Sequence, residues 1–176
     1  LRELCTRYDV ILIIDETHTL SEGPGGMTAR RNLQPDAVVL GKTIGAGIPA
    51  GAFGMTAELT ARIQKSLHLE HIDVGGVGGT LAGNALSLAA MKATLTEVLT
   101  EANFERMIAL GNRWCDGIDA AIKEFDLDWH CNRLGARGEY IFKGKQPVTG
   151  KEAADSGDFE LEQYIHLRLL NDGYLI

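Results

Sequence analysis

Asp15 and Lys42 each stand where an apolar run of the sequence stops. Val10, Ile11, Leu12, Ile13 and Ile14 lead into Asp15 and Glu16; Ala37, Val38, Val39 and Leu40 lead into Gly41 and Lys42. A lysine among small residues at a buried sheet edge is desolvated, which favours the neutral, nucleophilic amine. Such an amine forms Schiff bases with carbonyl groups. Once released, it is placed to move a proton as general base and acid. A lone aspartate at a strand end is most often a turn or cap residue, but it can also hold a ring nitrogen protonated. A pyridoxal cofactor requires both parts, a lysine for its aldehyde and a carboxylate for its ring nitrogen. Gly41-Lys42-Thr43 also invites a phosphate-loop reading, which fails because the motif needs glycine where Asp36 stands.

The elements that would position this pair follow from the pattern. Short continuous apolar runs with β-branched residues read as strands buried on both faces, as in a parallel sheet covered by helices. The ends of such strands are where α/β folds bind ligands. Residues 1–7 fit the end of an amphipathic helix with Leu1, Leu4 and Cys5 on one face. Helix into buried strand is half of a doubly wound unit. Residues 15–36, with Gly23, Pro24, Gly25 and Gly26, read as a long functional loop. The small-residue stretch after Lys42 predicts a turn and a short strand around Ala52 to Met55, then Thr56 capping a helix over 57–67. Residues 68–80 read as irregular. Residues 84–99 are apolar nearly all round and predict a buried helix. Residues 101–125 carry one helical stripe. Asp126 to Asn132 breaks it, Glu139 to Phe142 reads as a strand, and Phe159 to Leu170 as a helix.

Bulk properties exclude some functions. The 176 residues carry a net charge of −7, which disfavours a nucleic-acid or anionic-membrane surface. No apolar stretch reaches the roughly 18 residues of a membrane span. Cys5, Cys115 and Cys131 form no CxxC pair, so neither a disulfide framework nor a zinc site is suggested and a reducing, cytoplasmic setting is expected. The start on Leu1, and an end on Gly173 to Ile176 that reads as an opening strand, suggest a piece of a longer polypeptide.

Taken in order, Leu12 to Thr19, Gly25-Gly26, Pro35-Asp36, Leu40-Gly41-Lys42 and Gly47 to Gly54 resemble the class III aminotransferases, above all the branch containing glutamate-1-semialdehyde aminomutase. Gly79 to Leu86 matches another motif of that family. The likeness covers about residues 1–100 well and the remainder weakly. It implies an α/β fold, the pyridoxal-phosphate-dependent transferase fold type I. Residues 1–100 would be part of the large cofactor-binding domain with a mixed, mostly parallel sheet. Residues 101–125 would form a connecting helix, and residues 126–176 part of a smaller α+β domain. It also implies a homodimer with cofactor sites shared across the interface.

The roles the resemblance implies are these. Lys42 would carry the cofactor as a Schiff base and Asp15 would pair with its pyridine nitrogen. Thr17 falls where the family usually packs Val or Ile on the ring face. His18 falls where the family often has Gln or Met near the ring's phenolic oxygen. Thr80 would bind the cofactor phosphate of the neighbouring subunit, with the backbone of Gly78 and Gly79 nearby. His68, Glu70, His71 and Asp73 are better read as a polar loop than as metal ligands, and Arg30 and Arg31 as solvated. Arg137 and Glu139 receive no role. Three readings result: an aminotransferase acting between an amine or amino acid and a keto acid, ketone or aldehyde; an aminomutase moving the amine within one substrate; and a scaffold or fragment without catalysis.

Overall fold

The computed structural model describes residues 1–65 and 78–175. Contacts divide the chain into two units, one made of Leu1–Ala109 with Leu134–Arg137, the other of Leu110–Arg133 with Gly138–Ile176.

The first unit opens with helix α1 (Arg2–Arg7) and carries a three-stranded sheet of β1 (Ile13–Asp15), β2 (Ala37–Gly41) and β3 (Gly51–Met55), in the order β1-β2-β3. β1 and β2 are parallel, with Ile13 opposite Ala37 and Asp15 opposite Val39. β2 and β3 are antiparallel, with Val39 opposite Phe53 and Gly41 opposite Gly51. The sheet is therefore mixed, and parallel pairing does not predominate in it. β1 starts three residues later than its apolar run because Asp36 captures the preceding chain. Leu12 donates its N–H to Asp36 Oδ2 at 2.7 Å, and Arg2 reaches the same oxygen at 2.8 Å. The Leu12 N–H first, then Arg2, hold the Asp36 carboxyl below its ordinary range.

Two burial expectations need correction. The strands are not buried on both faces: Val10 is 54% and Ile13 59% exposed. Leu1 and Leu4 of the expected α1 face are likewise exposed, and only Cys5 is buried.

Between β1 and β2 the expected loop holds a 3-10 turn (Thr19–Glu22) and a short helix α2 (Gly26–Arg30). A further 3-10 turn follows β2 (Lys42–Gly45), with Ile44 fully buried as its anchor. Thr56 caps α3 (Ala57–Gln64) by accepting the Leu59 N–H at 3.2 Å. The rest of the expected 57–67 helix, and the loop carrying His68, Glu70, His71 and Asp73, lie at or beyond the edge of the described residues. Asn84 caps α4 (Ala85–Ala93), which runs into a π-helical turn (Thr94–Val98). This helix is not the buried one its composition predicts. Ser87 and Thr94 face inward, while Leu86, Leu88, Leu95 and Val98 are each about half exposed or more. The Ser87 hydroxyl donates to the Pro49 carbonyl at 2.7 Å, so a polar bond fixes which face turns in.

Helix α5 (Glu101–Glu124) forms where the stripe predicts it and contributes Phe104 to the first unit and Cys115 to the second, both buried, but Met107, Trp114 and Phe125 of that stripe are exposed. The segment read as a mere break contains β4 (His130–Leu134), which pairs with β5 (Arg137–Ile141). The signal is weak because β4 mixes His, Asn and Arg with one buried Cys. In the second unit Trp129 stacks on Tyr140 at 5.8 Å and meets Phe142 edge-on at 4.8 Å. Two helices follow, α6 (Gly150–Ala154), opened by a Thr149/Glu152 capping box, and α7 (Phe159–Asn171), capped by Asp158. Where the opening strand was expected, Asp172 and Gly173 form the turn that closes α7 and Tyr174 and Leu175 carry no regular structure; Ile176 lies outside the described residues. Gly173 adopts φ +89° and the Tyr174 N–H returns to the Leu169 carbonyl at 2.8 Å.

Candidate active site

Glu16 organises the strand end. Its N–H continues the ladder to the Val39 carbonyl at 2.9 Å, and its side chain is 1% exposed. One carboxylate oxygen accepts the Thr28 N–H and hydroxyl, each at 2.5 Å; the other accepts the Met27 N–H at 3.1 Å and the Thr19 hydroxyl. Burial pushes this carboxyl up, but those bonds outweigh it and hold it below its ordinary value. Gly26, at φ +64°, has to be glycine: a Cβ there would lie 2.5 Å from Glu16 Oε2. The Gly-rich loop is thus wrapped on a buried carboxylate. Outside that knot, Arg30 pairs with the buried Glu22 at 2.8 Å while Arg31 is exposed.

The neighbouring carboxylate faces outward. Asp15 is exposed, and its Oδ1 accepts the Thr17 N–H at 2.8 Å. Bonds from Thr17, side chain and N–H, hold the Asp15 carboxyl below its ordinary range. Thr17 also lies against the other strand end, since a Cβ on Gly41 would stand 3.4 Å from its hydroxyl.

Lys42 occupies the left-handed region at φ +50°, which costs a non-glycine residue about 1 kcal/mol. Backbone strain of this kind clusters at functional sites. The expected burial is not met: Lys42 is exposed, with small neighbours that leave it uncovered, and its amine faces His18. Nζ lies 2.7 Å from His18 Nε2, and Arg137 Nη1 lies 2.6 Å from His18 Nδ1. A cleft of about 410 Å³ is lined by Thr17, His18, Lys42 and Arg137 together with apolar Leu99, Phe104 and Met107.

The structure therefore brings Thr17, His18 and Lys42 together, with Asp15 beside them though not lining the cleft. Gly79 and Thr80 lie apart from it, in an exposed turn ahead of α4. Arg137 is the member that sequence reading missed. It is 119 positions from His18, and no local pattern links the two. Glu16 was legible in hindsight as a carboxylate followed at the third position by Thr19. Among the described residues no group of three or more His, Cys, Asp or Glu could hold a metal ion.

The profile of the family "Aminotransferase class-III" matches residues 1–128. The chain belongs to the class III aminotransferases. Within that family it is 34% identical over 169 residues to glutamate-1-semialdehyde 2,1-aminomutase 2 of Halalkalibacterium halodurans, covering 92% of this chain and 36% of that protein. It is 32% identical to glutamate-1-semialdehyde 2,1-aminomutase of Akkermansia muciniphila, covering 98% of this chain and 39% of that one. Among solved structures it superposes on a glutamate-1-semialdehyde aminomutase from Pseudomonas aeruginosa PAO1 with a TM-score of 0.92 at 45% identity, covering 99% of this chain and 40% of the other. It superposes on a β-phenylalanine aminotransferase from Variovorax paradoxus with a TM-score of 0.81 at 25% identity, covering 99% and 39%. The chain thus spans about two fifths of the length of these class III relatives and has their fold, the pyridoxal-phosphate-dependent transferase fold type I.

Proposed function

We propose that this chain is the lysine-bearing part of a pyridoxal-phosphate-dependent aminotransferase that passes an amino group between an amine or amino acid and a keto acid, ketone or aldehyde. The observation that carries the reading is the juxtaposition at the ends of two adjacent parallel strands: a carboxyl held ionised at Asp15 and an amine at Lys42, with Thr17 between them. The donor set fits the cofactor. Asp15 offers an exposed carboxylate to a ring nitrogen, Thr17 can present its methyl to a ring face, and Lys42 opens into a cleft of about 410 Å³. When bound, pyridoxal phosphate supplies a protonated ring that accepts the electrons left by loss of a substrate α-proton. Asp15 keeps the ring nitrogen protonated. Lys42 would hold the cofactor through Nζ, and the same amine would serve to move a proton. By the family resemblance, His18 is assigned to the neighbourhood of the ring's phenolic oxygen.

Gly79 and Thr80 are assigned to a neighbouring subunit's cofactor phosphate in a homodimer with shared sites; they stand in an exposed turn and do not line the cleft. Residues 1–100 are assigned to the large domain, 101–125 to a connecting helix and 126–176 to the smaller domain. A cytoplasmic setting agrees with three free cysteines. No helix among the described residues is long and apolar enough to cross a membrane.

Borohydride reduction of the full-length gene product tests the reading. It should be yellow, and mass spectrometry should find the reduced cofactor on Lys42. A colourless protein, or label on another lysine, refutes the proposal. The 45% identity to a Pseudomonas aeruginosa enzyme described as a glutamate-1-semialdehyde aminomutase favours a second reading, intramolecular amine transfer. Turnover of glutamate semialdehyde without added amino donor would select it. Absence of turnover with every donor and acceptor, cofactor bound, would select the inactive scaffold.

A further inference from the structure

We infer that Arg137, His18 and Lys42 form a hydrogen-bond chain of fixed polarity, in which Arg137 is a positioning residue that sets the imidazole tautomer and His18 presents an N–H donor to the working nitrogen. The inference rests on the aminotransferase reading for what reacts at Lys42; the polarity itself follows from the geometry of the three side chains.

A guanidinium has five N–H donors and no acceptor, and it does not lose a proton in proteins. At 2.6 Å from Arg137 Nη1, His18 Nδ1 has to be the acceptor. A neutral imidazole then carries its single proton on Nε2. That N–H points at Lys42 Nζ, 2.7 Å away. The opposite tautomer, or a doubly protonated ring, would set an imidazole N–H against a guanidinium N–H at bonding distance, two donors with nothing to share. As the free amine, the form a carbonyl-attacking nitrogen must take, Nζ accepts that N–H and completes the chain.

Arg137 is delivered to His18 by backbone rather than by chance contact of two long side chains. The turn between β4 and β5 docks on the 3-10 turn after His18: the Ala136 N–H donates to the Ser21 carbonyl at 2.9 Å. The Ser21 hydroxyl lies within bonding distance of the His18 and Leu134 carbonyls, at 3.0 and 3.2 Å. Gly135, at φ +57°, permits this approach, since a Cβ there would collide with the Ser21 carbonyl. A role for the guanidinium in the tautomer explains why β5 begins on an arginine at the mouth of the cleft.

The test is the protonation pattern of His18, read by nitrogen-15 resonance in the cofactor-free full-length protein at about pH 8.5, well above the ordinary imidazole range. The signal is assigned by its loss in His18→Gln. The expected result is a single tautomer protonated at Nε2. Arg137→Glu replaces a pure donor by a pure acceptor and should move the proton to Nδ1, whereas Arg137→Lys should keep it on Nε2. A wild-type ring protonated at Nδ1, or an unchanged tautomer in Arg137→Glu, overturns the inference. Should Arg137→Glu fail to fold, the wild type and Arg137→Lys still decide, since a proton on Nδ1 in either contradicts it. The measurement uses no cofactor. A protein that never takes up pyridoxal phosphate would refute the proposed function and leave this result readable on its own.

Discussion

The strand ends of the first unit and the aromatic hairpin of the second are built on opposite plans. At the strand ends the side chains that matter are polar and exposed: Asp15, His18, Lys42 and Arg137. They are positioned by bonds to backbone and by a left-handed turn at Lys42. In the second unit Trp114, Trp129, Tyr140 and Phe142 pack ring to ring beside the buried thiols Cys115 and Cys131. Cys131 is pushed up to about 11 by burial and by its neighbour Cys115, so it is not a nucleophile at neutral pH. The first region stores chemistry at little cost in packing, and the second stores packing without chemistry. Substitutions should separate the two: activity without stability in one, stability without activity in the other.

Asp15→Asn should give the largest effect. The asparagine oxygen can still accept the Thr17 N–H, so the turn survives, but the charge that would keep a ring nitrogen protonated is gone. Amine transfer by the full-length enzyme should fall by about a hundredfold or more, with Tm unchanged within about 2 °C. A large drop in Tm with activity retained per folded molecule would reverse the contrast.

Glu16 is where the contrast breaks, because this site residue is buried. Glu16→Ala strands the donors of Met27 and Thr28 and should cost about 3 kcal/mol in chemical denaturation. Its pH dependence has a definite sign. A carboxyl held below its ordinary value of 4.5 stabilises the fold above that value. The contribution is lost as pH falls through the lower, folded value. Asp36, also depressed, acts in the same direction. Glu16→Gln should therefore flatten the stability-against-pH curve below about pH 4.5. An unchanged slope would show that the buried bonds do not hold the carboxyl down.

These two carboxylates show what the sequence could tell. Adjacent in the chain, both stand at the end of one apolar run, and that run with its partner ending at Lys42 was enough to point to the candidate site. Which of the two turns inward depends on Thr19, Met27 and Thr28 folding back over Glu16, a closure no periodicity records. Burial was misread where it depends on what covers a face. The apolar runs of β1 and of α4 look the same whether or not a partner lies over them, and here Ile13 and Leu86 are exposed. β4 escaped notice because His130, Asn132 and Arg133 hide a strand that is held by its pairing. The link from Arg137 to His18 joins distant segments through backbone docking, which is invisible in a local pattern.

Gly138→Ala tests the second region alone. A Cβ there would stand 2.5 Å from Cys115 Sγ and 2.6 Å from the Trp114 ring, closer than side-chain atoms sit. The ring and thiol have to shift, at about 1–3 kcal/mol. Turnover per folded molecule should be unchanged, and a loss of turnover without loss of stability would refute the separation.

The smallest effect is expected at the end of α7, where Arg168 pairs with Asp172 four residues on at 3.0 Å, both largely exposed. An exposed pair of this spacing is worth about 0.3–0.5 kcal/mol. The two partners are not equivalent. Arg168 sits in the last turn, where the helix dipole favours a cation, and Asp172 caps the same end, where it disfavours an anion. Asp172→Asn loses the pair but relieves that repulsion, so its stability should stay within about 0.3 kcal/mol of the parent. Arg168→Ala loses the pair and the favourable cation together and should be the more destabilising of the two. Denaturant midpoints of both variants, at low and at high salt, check this. The difference between them should shrink as salt screens the charges, and a salt-independent difference would point to lost packing of the arginine stem instead.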